Sequence, residues 1–448
     1  MSNIKIDFTE TKGKMKPMHG MNAGTLTKYF TCDAREIFRE AGIPITRLHD
    51  AEYPYGRGEF VDIPCIFKNF DADVDDPASY NFDFTDQYLK AIDDAGTKIM
   101  YRLGVSIEHY EIKRNIFPPK DYLKWAKICE HVIRHYNEGW ANGMHLGIEY
   151  WEIWTEPNHC YEERPLMWAG TMAEFGEFYT VSATYLKNCF PDLKIGGPAM
   201  SSPASKLQVE FFEEITKNGN HPPLDFYSWH GYVNSVEAAV QRCKDAEAIL
   251  NKYGYGDSES IYNEWNFVKS WSEMRFNASF ITSYKCASFN AAMMAAMQNE
   301  HCDMLNCYSA EGGFIGTWNS MFSLDTSGER SNGQGSPLKK LKGFYAFKAF
   351  NEIYKKHNQV NLTSDDERLY GVASFENGKG AFYISSFAPV DEELNAKEVH
   401  IELKGAEGKK ATVYVIDESS DLTKTVTFDA ASFDYLLPPY SVIFVEVE

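Results

Sequence analysis

Two rhythms of apolar and polar positions divide the chain. From Met18 to about residue 358, a short apolar run, a loop and a stretch of helical spacing follow one another repeatedly. The apolar runs Met18–Asn22, Ile43–Leu48, Lys98–Leu103, Ile148–Trp154, Leu193–Gly197, Asp225–Trp229, Ser260–Asn263 and Met304–Tyr308 predict buried strands. Helical spacing predicts helices over 84–95, 120–138, 171–189, 204–218, 235–253, 276–299 and 338–356. This alternation is that of a (β/α)8 barrel, expected over 16–358. The long inserts 50–83 and 309–336 predict functional loops.

Beyond residue 358 the helical signal stops. Alternating runs at Leu369–Phe375, Gly380–Phe387, Glu398–Leu403, Thr412–Ile416 and Val442–Val447 sit between Gly, Asn and Asp turns. They predict an antiparallel β-sandwich over 359–448. Ile4, Ile6 and Phe8 alternate with polar residues, so 1–15 predict a strand with no place in the barrel rhythm, joining the sandwich instead. The expected fold class is therefore α/β, a (β/α)8 TIM barrel with a C-terminal antiparallel β-sandwich domain.

Composition narrows the partners. The 448 residues carry 64 acidic against 44 basic side chains, a formal net charge of -20, and no basic stretch. That field opposes a phosphate backbone, so no nucleic acid partner is expected. No signal-like or membrane-length apolar segment is present, and the nine Cys lack CxxC spacing, so the expectation is a cytoplasmic protein with no membrane association. Neither a GxGxxG nor a Walker pattern lies between a strand and a helix, and no GxSxG elbow is found, so no cofactor is expected.

Barrels of this kind place reactive groups at the C-terminal ends of their strands. The residues expected there are His19 and Asn22; Arg47, His49 and Asp50; Arg102; Thr155, Glu156 and Asn158; His230 and Tyr232; Asn263, Glu264 and Trp265; and Tyr308. Glu156 follows the fourth strand, stopped by Pro157, and Glu264 follows the seventh. Two carboxylates facing each other across a barrel mouth suit glycoside hydrolysis. His131 and His135 lie four apart on a helix without the HExxH order, so no metal site is expected. Trp151, Trp154, Trp229, Trp265 and Trp318 fall at strand ends or mouth loops, where indoles stack on sugar rings. At least one of Trp151 and Trp154, which alternate with Ile153, is expected in the core. Arg47 suits either a bond that holds Glu264 ionised or a structural ion pair.

The segment Trp151-Glu152-Ile153-Trp154-Thr155-Glu156-Pro157-Asn158 is similar to the acid/base motif of glycoside hydrolase family 39, which includes β-xylosidases and α-L-iduronidase. Pro17-Met18-His19-Gly20, Arg47-Leu48-His49-Asp50, Phe70-Asp71-Ala72-Asp73, Phe226-Tyr227-Ser228-Trp229-His230 and Asn263-Glu264-Trp265 resemble that family in the same order. The resemblance implies a retaining exo-glycosidase of clan A that releases terminal residues, xylose foremost, from short oligosaccharides by double displacement. An arabinoside, glucoside or uronide substrate, or a non-catalytic carbohydrate-binding barrel, are the alternatives. It implies Glu156 as acid/base, protonated in the free enzyme, and Glu264 as ionised nucleophile, their carboxyl groups about 5–5.5 Å apart. Substrate contacts would come from His19, Arg47, His49, Asp50, Thr155, Asn158, His230, Tyr232, Trp265, Tyr308 and Trp318. A homo-oligomer is a further expectation. Thr155 departs from the clan pattern, which has Asn there to bond the sugar 2-hydroxyl; the Thr hydroxyl is shorter and offers one donor instead of two.

Overall fold

The computed structural model describes every residue except 28–29, 31, 54–57, 109–110, 161–162, 312–317 and 325–337. Eight parallel strands close into a barrel: β1 (Gly20–Asn22), β2 (Ile45–Arg47), β3 (Lys98–Leu103), β4 (Tyr150–Ile153), β5 (Lys194–Met200), β6 (Phe226–Val233), β7 (Glu259–Phe267) and β8 (Met304–Cys307). Each pairs with its neighbours in chain order, and β8 closes on β1. The main helices between them are Arg35–Ala41, Asp83–Asp94, Tyr122–Glu138, Met172–Cys189, Lys206–Ile215, Val236–Lys252, Tyr284–Met297 and, after β8, Lys342–Tyr354. Their ends follow local chemistry. Thr171 and Glu174 form a capping box at Met172, Asp121 accepts from the Lys124 amide, and Gly139 ends Tyr122–Glu138 in the left-handed region.

Side chains alternate across each strand, so residues two apart share a face. The lowest inward layer is apolar: Ile45, Met100, Phe226, Ile261 and Met304, with Tyr150 beside them. Two residues further up, the same strands present Arg47, Arg102, Glu152, Ser228, Asn263 and Asn306, all fully buried. Moving up the barrel axis therefore takes the interior from hydrocarbon to a polar floor beneath the mouth.

Apart from two small two-stranded pairs, the remaining strands form one nine-stranded sheet. Its order is Asp421–Asp429, Lys410–Ile416, Val442–Val447, Lys379–Ser386, Leu369–Glu376, Asn358–Ser364, Ser2–Lys14, Lys397–Lys404 and Ser432–Leu437. Ser2–Lys14 runs antiparallel to Asn358–Ser364 but parallel to Lys397–Lys404, the one parallel pair in this sheet. Ile4, Ile6 and Phe8 enter its core with Val399, Ile401, Leu403, Val413 and Val445. The sheet leans on the barrel through two helices. Tyr383 and Ser385 donate to the carbonyls of Ala291 and Ser288, each at 2.7 Å, and Ser374 donates to that of Ile353 at 2.7 Å. The helix Tyr284–Met297, caught between barrel and sheet, is buried on every side, hence its Ala- and Met-rich sequence.

Several element expectations change. The stretch 276–299 divides into Met274–Ile281 and Tyr284–Met297 at Thr282-Ser283, whose hydroxyls take up the carbonyls of Ala278 and Phe280. The stretch 338–356 starts instead as a strand, Leu338–Lys340, paired with Phe322–Leu324. Most of the insert 309–336 lies outside the described residues. Among the described residues no helix is long and apolar enough to cross a membrane.

Candidate active site

Two backbone irregularities bring the acids together. On β7, Tyr262 pairs with Trp229 and Glu264 with His230, so Asn263 is the extra residue of a bulge. Alternation alone would aim Asn263 and Glu264 at opposite faces; the bulge lets both face the interior. After β4, Trp154 and Glu156 take positive φ of 73° and 45°, and Asp50 after β2 takes 49°. Such values cost energy in non-glycine residues and persist where surroundings over-determine them. Here the Trp154 amide donates to Leu103 O at 2.6 Å and the Glu156 amide to Ala199 O at 2.8 Å. Gly104 leaves room for the turn, since a Cβ there would lie 3.0 Å from Trp154 Cα.

Glu156, His230 and Glu264 meet at the mouth, each offering an atom within 4.8 Å of the other two. His230 Nδ1 lies 2.8 Å from Glu156 Oε1, and its Nε2 lies 3.4 Å from Glu264 Oε2, without hydrogen-bond geometry. His159 Nε2 stands 3.6 Å from the other Glu156 oxygen. On Glu264, Oε1 accepts from the Tyr232 hydroxyl, while Oε2 faces Arg47 Nη1 at 3.3 Å and His49 Nε2 at 4.0 Å.

Arg47 is the centre of the polar floor. Its Nε donates to Glu152 at 2.6 Å, its Nη1 also to Asn22 at 3.2 Å, and its Nη2 to Thr155 Oγ1 at 3.0 Å. Glu152 accepts in turn from the Asn263 side chain, and Asn22 donates to Asn263 O at 2.8 Å. A guanidinium this deep is tolerated because three of its nitrogens are paired and two carboxylates balance its charge. It therefore serves both as structural pair and as neighbour of Glu264.

Electrostatics divide the acids. Burial pushes the Glu156 carboxyl up, but the His230 hydrogen bond and the charges of His230, His159 and Arg47 outweigh it, and the net direction is down. Burial also pushes Glu264 up; His230, Arg47 and Tyr232 pull against it, the charge of Glu156 adds to it, and the net direction is up. These directions run opposite to the expectation of a protonated Glu156 beside an ionised Glu264, because His230 hydrogen-bonds Glu156 whereas burial dominates at Glu264. The donors to Glu264 are permanent, a guanidinium and a phenol kept un-ionised by burial and by Glu264 itself. Of the two acids, Glu264 has the guanidinium nearer, at 3.3 Å from Arg47 Nη1. The same triad could hold a metal ion by spacing, but a cation there would face Arg47 across Glu264.

The structure gathers Arg47, His49, Asp50, Thr155, Glu156, His230, Tyr232, Glu264, Tyr308 and Trp318 around one space. Tyr308 donates to Asp50, and the Trp318 ring lies 5.1 Å from Tyr232 and 5.9 Å from Tyr308. Four expected positions lie elsewhere. His19 precedes β1, at the opposite end of the barrel, where it contacts Asn351 at 3.3 Å and packs on Phe350 and Tyr354. Trp265 follows Glu264 and so points outward, toward Phe289. Asn158 exchanges hydrogen bonds with Ser201, at 2.6 Å and 3.0 Å, and so fixes the loop that carries Glu156. Arg102 turns to Asp62 and Ser106. Trp151, Trp154 and Trp229 are buried in the wall, bonded to Ile148 O, Met167 O and Ser260. Of the five tryptophans only Trp318 borders the site. Sequence reasoning missed Glu152 and His159. Glu152 carried a signal, an acid inside an apolar strand two residues above inward-facing Tyr150.

A closed parallel barrel with two carboxylates meeting at the C-terminal ends of its fourth and seventh strands defines the class of two-acid (β/α)8 barrels. The family assignment is narrower. The sequence profile of glycosyl hydrolases family 39 matches residues 3–317, and the chain belongs to that family. A beta-xylosidase of Caldicellulosiruptor saccharolyticus is 30% identical over 203 residues, 42% of this chain and 38% of that enzyme, so the match spans well under half of that relative. Among solved structures, a glucosidase from Croceicoccus marinus superposes with a TM-score of 0.79 at 20% identity, covering 100% of this chain and 98% of that one. A monomeric beta-xylosidase from Caulobacter crescentus gives 0.69 at 15% identity, covering 100% and 99%. These two likenesses concern the fold.

Proposed function

We propose that this chain is a retaining exo-glycosidase acting on neutral glycosides, with β-xylosides as the leading substrates. The observation that carries the reading is the approach of a Glu156 oxygen and a Glu264 oxygen to within 4.8 Å. Retaining enzymes hold their two carboxyl groups about 5–5.5 Å apart, whereas inverting ones leave about 6.5–9.5 Å for a water. Glu264 is the nucleophile, because Arg47 and Tyr232 hold it in place and stabilise its charge. Glu156 protonates the leaving oxygen and then, as a carboxylate, activates water against the glycosyl-enzyme. His230, 2.8 Å from Glu156, orients that carboxyl for both steps.

Thr155 supports contact with the sugar 2-hydroxyl. Its Oγ1 accepts from Arg47 at 3.0 Å, which leaves its own proton to donate. Neutral sugars are favoured because Arg47 is spent on protein partners and the chain's net charge of -20 repels uronates. The names of the matched beta-xylosidases point the same way.

A panel of 4-nitrophenyl glycosides tests the reading with Glu156→Ala and Glu264→Ala as controls. The expected result is turnover of a neutral xyloside, abolished in both variants, with the glucuronide untouched. Binding of sugars without turnover of any would contradict it and leave a carbohydrate-binding barrel.

A further inference from the structure

One exposed aromatic continues the site outward. Trp271 is 61% exposed, yet its ring touches a group that bonds the nucleophile: it stands edge-on to Tyr232 at 5.2 Å and 69°, and lies 6.1 Å from Trp318 at 63°. Tyr232, Trp318 and Trp271 thus form a continuous aromatic edge leading from Glu264 to solvent. The loop carrying Trp271 is held in place. Buried Asn277 accepts from the Lys269 amide at 3.0 Å and donates to Ser270 O at 2.9 Å. Lys269 also reaches Asp391 of the nine-stranded sheet at 3.2 Å and covers the Phe276 ring at 5.2 Å. Leaving an indole in water forgoes the burial its surface favours, and ordering its loop costs chain entropy. A sugar ring laid on the indole recovers that burial, its C–H face matching the π face while its hydroxyls stay wet.

We propose that Trp271, flanked by Trp318, is the stacking platform for the sugar on the leaving-group side of the scissile bond. This rests on the glycosidase reading above and extends it: the preferred substrate is an oligosaccharide with a neutral pyranose next to the cleaved bond, not a glycoside of a small alcohol. Trp271 is a specificity residue outside the bond-breaking step, so its contribution appears only with leaving groups long enough to reach it.

The test compares kcat/KM on xylobiose with that on β-D-xylosyl fluoride, whose leaving group has no ring. Trp271→Ala is expected to lower the xylobiose value about ten-fold relative to the fluoride, mainly through KM. Trp271→Tyr, which keeps a stacking face, is expected to restore most of that ratio. An unchanged ratio in Trp271→Ala, with the wild-type chain active on both compounds, overturns the platform and leaves the glycosidase reading standing. A wild-type chain that hydrolyses neither compound overturns both. If sedimentation shows Trp271→Ala dissociating an oligomer while the ratio stays constant, the indole belongs to an interface between copies and the proposal is wrong.

Discussion

Tyr232→Phe isolates one bond to Glu264, the proposed nucleophile. The Tyr232 hydroxyl donates to Glu264 Oε1, and its ring stands against Trp318 at 5.1 Å and Trp271 at 5.2 Å. Phenylalanine keeps those ring contacts and deletes only the donor. A hydrogen bond to a charged group contributes about 1.5–3 kcal/mol. Arg47 remains 3.3 Å from the other oxygen, so Glu264 keeps a counter-charge, and the loss should be about 2 kcal/mol, roughly thirty-fold in kcat/KM. The pH profile gives a second sign. Tyr232 lowers the Glu264 pKa within a balance that is raised overall. Removing it raises that pKa further, and because attack needs the carboxylate, the acid limb of kcat/KM should move to higher pH. The assay is the pH dependence of kcat/KM on 4-nitrophenyl β-D-xyloside, with thermal unfolding to confirm that the variant is folded. A rate within two-fold of wild type and an unmoved acid limb would refute the assignment of Tyr232 and weaken that of Glu264.

Two further outcomes follow from named contacts. Thr155→Asn places a two-proton donor where Thr155 has one hydroxyl, and its carbonyl oxygen can still accept from Arg47, so aryl xyloside turnover should rise roughly ten-fold; an unchanged or lower rate would remove this account of the position. His19 is fully buried, and desolvation lowers its pKa from 6.5 to about 3 against the bond to Asn351. Between those values the unfolded chain binds the proton and the folded one does not, so stability present above pH 6.5 is lost as pH falls. By about pH 4.5 this amounts to roughly 3 kcal/mol. Denaturant unfolding should show that loss in wild type and little of it in His19→Asn; equal pH dependence in the two would contradict the burial argument.

The barrel was legible because each strand is a short apolar run closed by a polar stop, a pattern that survives without knowledge of the partners. Both acids were legible for the same reason, since each interrupts such a run. Orientation was less so. Trp265 adjoins Glu264, and only the Asn263 bulge, set by pairing with β6, decides which of the two faces inward. His19 read as a mouth residue because its strand, Gly20–Asn22, is three residues long and gives no internal sign of which end is up. In the sheet domain, Asp421–Asp429 and Ser432–Leu437 were missed, being polar edge strands with little buried alternation to detect. Arg35–Ala41 is a seven-residue helix, too short for its period to stand out. The contact of His230 with Glu156 depends on a group brought from another strand, which spacing along the chain does not reveal, whereas His159 lies only three residues beyond Glu156.

The most direct test of the central claim is azide rescue of Glu264→Ala on an activated aryl β-xyloside. If Glu264 attacks the anomeric carbon and Glu156 only transfers protons, azide should restore turnover and give the α-xylosyl azide, the anomer inverted relative to substrate. No rescue, or an azide product of retained β configuration, would show that another group makes the first bond.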